Sequence, residues 1–228
     1  ADVELRCDIG GKIGGGIGND GDGLHEREPT SEEDCGVQLC VWHPPLVSVT
    51  LVTGADSLIG AHLAHRLLER GDRLRLLTSG VHADAVLNEF GLTGNAEVVH
   101  AEPRDRDAVA KAMRKVTTLF HVPEPAPWRS SWRHLHDVHV AATEVVLAAA
   151  LKAGVEQAVH TSSATSLGPA ERGSTADETQ PFSARWGLSI ISATHTGERV
   201  ALRLHESGLP VVLALPGLVL GRGDYSCS

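Results

Sequence analysis

The stretch that most constrains the fold is residues 46–60. The run LVSVTLVT at 46–53 is uncharged, rich in β-branched residues and without a helical period, which predicts a strand buried on both faces. It runs straight into Thr53-Gly54-Ala55-Asp56-Ser57-Leu58-Ile59-Gly60, and the residues beyond carry apolar positions at Leu63, Leu67 and Leu68 before Gly71. That spacing predicts a helix stopped at the glycine. A strand that ends in a glycine-gapped turn and opens into a helix aims the helix N-terminus at whatever sits on the turn. Free N–H groups and the positive end of the helix dipole then favour an anion, and a dinucleotide pyrophosphate fits this context. Gly54, Ser57, Leu58, Ile59 and Gly60 are therefore candidate cofactor-binding residues. The two glycines stand in a G-x-x-x-x-x-G spacing, with Ser57 between them.

The rest of the chain alternates in the same way. Strands are predicted at 73–77, 97–100, 117–122, 157–162 and 210–215, and helices at 83–90, 105–113, 132–153 and 190–206. Short connections with this alternation imply parallel βαβ units with right-handed crossovers. The predicted fold is α/β: a Rossmann-type doubly wound parallel sheet with helices on both faces, over residues 46–228. A chain of 228 residues suits one such domain and is too short for two large ones.

Residues 1–45 read differently. They hold 9 of the 24 glycines, and 10 acidic against 3 basic side chains. Most of the net charge of −9 therefore belongs to them, and the remainder of the chain is near neutral. Such a segment buries too little apolar surface to offset its ordering entropy, so a flexible Gly-rich acidic extension is expected. It has no basic start followed by an apolar stretch, as a secretory signal has. Gly14-Gly15-Gly16-Ile17-Gly18 lacks a flanking strand and helix, and Asp20-Gly21-Asp22-Gly23 lacks the ligands that complete a calcium loop. Cys7, Cys35 and Cys40 precede the predicted domain and Cys227 lies at its very end, beyond the last predicted strand, which fits a reducing cytoplasm. The acidic balance argues against nucleic acid, and no apolar run is long enough to span a bilayer.

Four segments in order resemble an extended short-chain dehydrogenase/reductase, the NAD-dependent epimerase/dehydratase group. Residues 53–60 resemble TGATGFIG, and Phe120-His121-Val122-Pro123 resembles the strand end FHLAA. Residues 159–168, VHTSSATSLG, resemble VYTSSAAVYG, and residues 215–224, LPGLVLGRGD, resemble RPGNVYGPGD. The resemblance implies binding of NAD or NADP. It implies cofactor contacts from Ser79 after the second strand, Glu102 and Pro103 after the third, Val122 and Pro123 after the fourth, Thr161 at the fifth and Pro216 after the sixth. It also implies a homodimer formed by the long helix and the helix at 190–206, and a small-molecule substrate.

The family's chemistry uses a serine, a tyrosine and a lysine four residues after it. Ser163 matches the serine, as a catalytic residue or as a strand-end hydroxyl that caps local backbone. Counted back from Glu198, the tyrosine position is Ile190 and the lysine position is Thr194, and neither moves a proton. His139 stands at the asparagine position, and neither Thr78 nor Ser79 supplies the charge that distinguishes NAD from NADP. His195 adjoins the lysine position and reads as a surface or packing residue, as do Trp128 and Trp132. The sets His134, His136, His139 and His62, His65 lack a clear fourth ligand, so no metal is expected. Tyr225, the single tyrosine, lies beyond the last strand. Little of the family's substrate-binding C-terminal region follows residue 224. The reading is a divergent protein of this kind that binds NAD or NADP weakly and has weak or no redox activity. The alternatives are a non-catalytic nucleotide sensor or scaffold, and a truncated product.

Overall fold

The computed structural model describes residues 48–123, 130–170, 173–175, 177, 180, 182 and 189–224. The expectations for residues 1–45, for the strand start at 46–47, and for Trp128, Tyr225 and Cys227 lie outside the described residues.

Among the described residues six strands form one parallel sheet: β1 Val49–Thr53, β2 Arg73–Thr78, β3 Glu97–His100, β4 Val116–His121, β5 Gln157–Thr161 and β6 Val211–Ala214. Their spatial order is β3-β2-β1-β4-β5-β6, the doubly wound arrangement expected from the alternation. The order reverses beside β1, so the crevice at the carboxyl ends of β1 and β4 is the switch point where such sheets bind ligands.

The helices are α1 Leu58–Glu69, α2 Ala83–Glu89, α3 Arg106–Ala112, α4 Trp132–His136, α5 Ala142–Ala153 and α6 Ser189–Glu206. Successive residues of β1 face opposite layers, and all five are buried. Leu51 packs with Val109, Leu119, Val146, Leu147 and Ala150 beneath α3 and α5, and Ala201 of α6 joins the same layer. Val52 packs with Ala61, Ala64, Leu67, Leu76, Val86 and Leu87 beneath α1 and α2. Each fully buried leucine contributes about 1.5–3 kcal/mol, so the two layers fix the sheet from both sides.

The long helix predicted at 132–153 runs unbroken, but it is not α-helical throughout. Between α4 and α5 it makes one π turn over Asp137–Ala141, closed by the Ala142 N–H reaching back to the Asp137 carbonyl. The cause is tertiary. Gly197 of α6 packs so closely on the His139 carbonyl that a Cβ there would collide with it. The widened turn accommodates that approach, and such bulges recur at functional sites.

Candidate functional site

The turn after β1 is built around two glycines. Gly54 has φ +63°, and a Cβ on it would strike the Val122 carbonyl at the end of β4. A Cβ on Gly60 would strike the Gly54 carbonyl. Both side chains must be absent for the turn to close and for the first turn of α1 to approach it. Ser57 is the N-cap of α1: its hydroxyl donates to the Gly54 carbonyl at 2.7 Å and accepts the Gly60 N–H at 3.1 Å. Ser57 is thus more than a residue with a Cβ where the family has none. It ties the turn together and occupies one N–H that a phosphate oxygen would otherwise accept.

Because every strand is parallel, the other candidate residues follow at the same carboxyl edge of the sheet. Ser79 follows β2, Glu102 and Pro103 follow β3, Val122 and Pro123 follow β4, Thr161 ends β5, and Pro216 follows β6. Backbone bonds lock these ends together: Gly54 N–H to the Leu77 carbonyl at 2.9 Å, Ala101 to Thr78 at 3.0 Å, Ser162 to Ala214 at 2.7 Å, and Ala164 to Pro216 at 2.9 Å. Glu102 is exposed.

One charged group enters this edge from a position that the sequence reading passed over. Asp56, inside the turn, accepts the Gly80 N–H at 2.9 Å through Oδ2. Its Oδ1 is buried without a hydrogen-bond partner.

The fifth strand and α6 carry the positions where the family places its proton chemistry. Ser163 caps a single 3-10 turn at Ala164–Leu167; its Oγ lies 2.9 Å from the Thr165 hydroxyl and accepts the Thr165 N–H at 3.3 Å. Ser163 thus makes the contacts of a capping residue in this geometry. Thr194 is buried and its hydroxyl donates to the Ile190 carbonyl at 2.9 Å, so the lysine position is spent on its own helix. Glu198 is buried one turn on and receives hydrogen bonds from the Ser162 and Ser166 hydroxyls. It also faces His195 Nδ1 at 3.5 Å, while the His195 ring stacks on Phe182 with centroids 3.8 Å apart. His195 is therefore a packing residue with a carboxylate neighbour. No group of three His, Cys, Asp or Glu among the described residues is placed to hold a metal ion.

Behind the site His121 and His160 are buried, with the half-buried His139 beside them. His121 and His160 are register partners on β4 and β5, with rings stacked at 5.3 Å. His121 Nδ1 lies 2.7 Å from the Thr53 hydroxyl and Nε2 3.1 Å from the Thr143 hydroxyl. The Thr143 hydroxyl donates to the His139 carbonyl, so its oxygen accepts from Nε2–H of a neutral His121. Burial, with help from His160 and His139, holds His121 well below the ordinary histidine range. Burial likewise lowers His139, beside His134, and His160, beside His139, to about 4.

Comparison with known proteins matches this geometry. Sterol demethylase protein B of Methylococcus capsulatus is 29% identical over 184 residues, which cover 77% of this chain and 53% of that protein. The crystal structure of gox2253 superposes with a TM-score of 0.66 at 35% identity, covering 74% of this chain and 51% of that one. A dTDP-glucose 4,6-dehydratase from Streptomyces venezuelae, DesIV, with NAD bound, gives a TM-score of 0.64 at 26% identity, covering 72% of this chain and 54% of that one. The chain spans about half the length of these relatives. No helix among the described residues is long and apolar enough to cross a membrane. The family model for the NAD dependent epimerase/dehydratase family matches residues 50–227, and the chain belongs to that family.

Proposed function

We propose that this chain binds NAD or NADP on the turn between β1 and α1 and transfers hydride weakly or not at all. The observation that carries the reading is the turn itself. Gly54 and Gly60 keep a cradle that any Cβ would fill, at the N-terminus of α1 and at the switch point of the sheet. A bound dinucleotide would rest its pyrophosphate on residues 54–60. Val122, Pro123, Thr161 and Pro216 would border the nicotinamide half, and Ser79, Glu102 and Pro103 the adenosine half. When bound, the nicotinamide would supply or accept a hydride, whereas the chain's own residues hold, orient and exclude water. No residue at positions 190 and 194 gives or takes the accompanying proton.

The second reading, a non-catalytic nucleotide sensor or scaffold, is favoured by one observation: the hydroxyls of Ser163 and Thr194 are both turned to local partners. A cytoplasmic homodimer, formed through α5 and α6, and an unidentified small-molecule substrate complete the proposal.

Calorimetric titration with NAD and NADP tests it. The unmodified chain should bind at least one nucleotide. Ser57→Gly should bind more tightly, because it frees the Gly60 N–H and removes a Cβ from the turn. The lost cap should lower stability by only a few tenths of a kcal/mol, as is usual for Ser→Gly at an N-cap. Unchanged or weaker binding in a folded Ser57→Gly would mean that the pyrophosphate does not sit on this turn.

A further inference from the structure

We propose that residues 217–220 form an apolar contact for the second ligand of the site, and that this ligand is an uncharged, largely apolar alcohol or ketone rather than a nucleotide sugar. The inference rests on the nucleotide-binding reading above and names the substrate class of that same site. After β6 the chain crosses the carboxyl edge of the sheet. One end of the crossing is held by the Pro216 carbonyl, which accepts the Ala164 N–H at 2.9 Å in the turn that Ser163 caps. At the other end Gly221 lies against the first residue of α1, where a Cβ on it would come 3.7 Å from Leu58 Cδ1. His62 Nε2, one turn further along α1, lies 3.0 Å from the Arg222 carbonyl oxygen, and Arg222 Nε donates to Glu89 Oε1 at 2.6 Å. The four residues between these anchors therefore skirt the crevice between Ser163 and the nucleotide turn.

Three of the four are large and apolar, and all three meet water: Leu218 is 89% exposed, Val219 42% and Leu220 72%. One exposed leucine is ordinary. Three apolar side chains in succession, pinned at both ends beside a ligand crevice, are not, because each gains free energy from an apolar surface laid against it. The charge of the surroundings says which surface fits. Residues 162–170 and 216–221 carry no charged side chain, and residues 54–60 carry only Asp56. The N-terminus of α1 is taken by the dinucleotide's own pyrophosphate. Arg222, just beyond the span, is turned to Glu89. A nucleotide sugar would bring a second diphosphate to segments that offer it no cation, and an unpaired charge held away from water is costly. An uncharged apolar ring system meets no such cost and covers the three side chains.

Calorimetric titration of the NADH-saturated chain with progesterone and with UDP-glucose tests this. Progesterone should bind, and UDP-glucose should not. The double substitution Leu218→Ser with Leu220→Ser should weaken progesterone about tenfold more than it weakens NADH. Both side chains are exposed, so the fold should survive, and Leu220→Ser alone gives a smaller effect of the same sign should the double variant unfold. Preference for UDP-glucose overturns the inference, as does progesterone binding that both variants leave unchanged. A double variant that turns a dimer into a monomer in sedimentation, with progesterone affinity level, also overturns it, because a second copy would then cover the three side chains. Failure of the unmodified chain to bind NADH defeats the proposed function and this inference with it, whereas NADH binding without progesterone binding defeats this inference alone.

Discussion

The double substitution Ile190→Tyr with Thr194→Lys should raise nicotinamide turnover by more than the two single substitutions combined, from a baseline near the detection limit. Hydride transfer at a carbinol or ketone carbon needs a proton to leave or reach the oxygen. A phenol does this near neutral pH only when a neighbouring cation lowers its pKa from about 10. Loss of positioned acid–base catalysis costs about 10²–10⁴ in rate. Tyrosine alone lacks the cation, and lysine alone lacks the proton carrier, so the pair must show strong positive coupling. Position 194 is buried, which by itself would deprotonate an introduced lysine, but Glu198 one turn on supplies a compensating carboxylate. The assay is NAD(P)H oxidation with ketones of the hydroxysteroid and nucleotide-sugar classes. Robust turnover by the unmodified chain, undiminished in Ser163→Ala, would place the active site elsewhere.

Acid should weaken the fold from pH 6.5 downward, before most carboxylates protonate. His139 and His160 titrate at about 4 in the folded chain, and His121 is held well below its ordinary value, whereas all three titrate near 6.5 when unfolded. Between pH 6.5 and 4 the unfolded chain therefore binds more protons than the folded one. Stability is highest above pH 6.5 and falls as pH falls through that window. At about 1.4 kcal/mol per unit, a shift of the size seen at His160 corresponds to about 3 kcal/mol. The three share part of their effect by repelling one another, so the total is less than the sum. The charged or titratable groups on the elements around this cluster include His134 on α4, Asp137 in the π turn, where it pairs with Arg104, and Glu198 on α6, while Thr53 and Thr143 are neutral. Thermal unfolding from pH 7.5 to 4.5 should show a steep fall in Tm below 6.5. His160→Leu should flatten the slope, because Nδ1 of His160 is buried without a partner. A Tm that stays level down to pH 5 would contradict the burial of neutral imidazoles.

Much of the fold was legible because it rests on local signals. The strand at 97–100 and the helix after Asp105 lie where periodicity and capping put them, since Asp105 accepts the N–H groups of Asp107 and Ala108 at 3.0 Å. What was not legible depends on partners distant in sequence. The residues around His139 keep an ordinary helical period, and the π turn there answers to Gly197, on a different helix. The pairing of His121 with His160 follows from strand register, which the buried runs of a parallel sheet leave unspecified in sequence. Ser57 was visible as a departure from the glycine pattern, but its capping bonds were not. Asp56 was visible as an acid in the turn. Its hydrogen bond from the Gly80 N–H was not, because that partner lies beyond β2.

The central claim is that a dinucleotide rests on the turn at Gly54. Titrating NADH into the unmodified chain and into Gly54→Val, and following nicotinamide fluorescence, tests it most directly. A valine side chain cannot share space with the Val122 carbonyl, and φ +63° strains any β-branched residue. Saturable binding by the unmodified chain, abolished in Gly54→Val under conditions where circular dichroism still reports a folded sheet, is the predicted result. Absence of saturable binding to the unmodified chain, or equal binding by a folded Gly54→Val, would contradict the account.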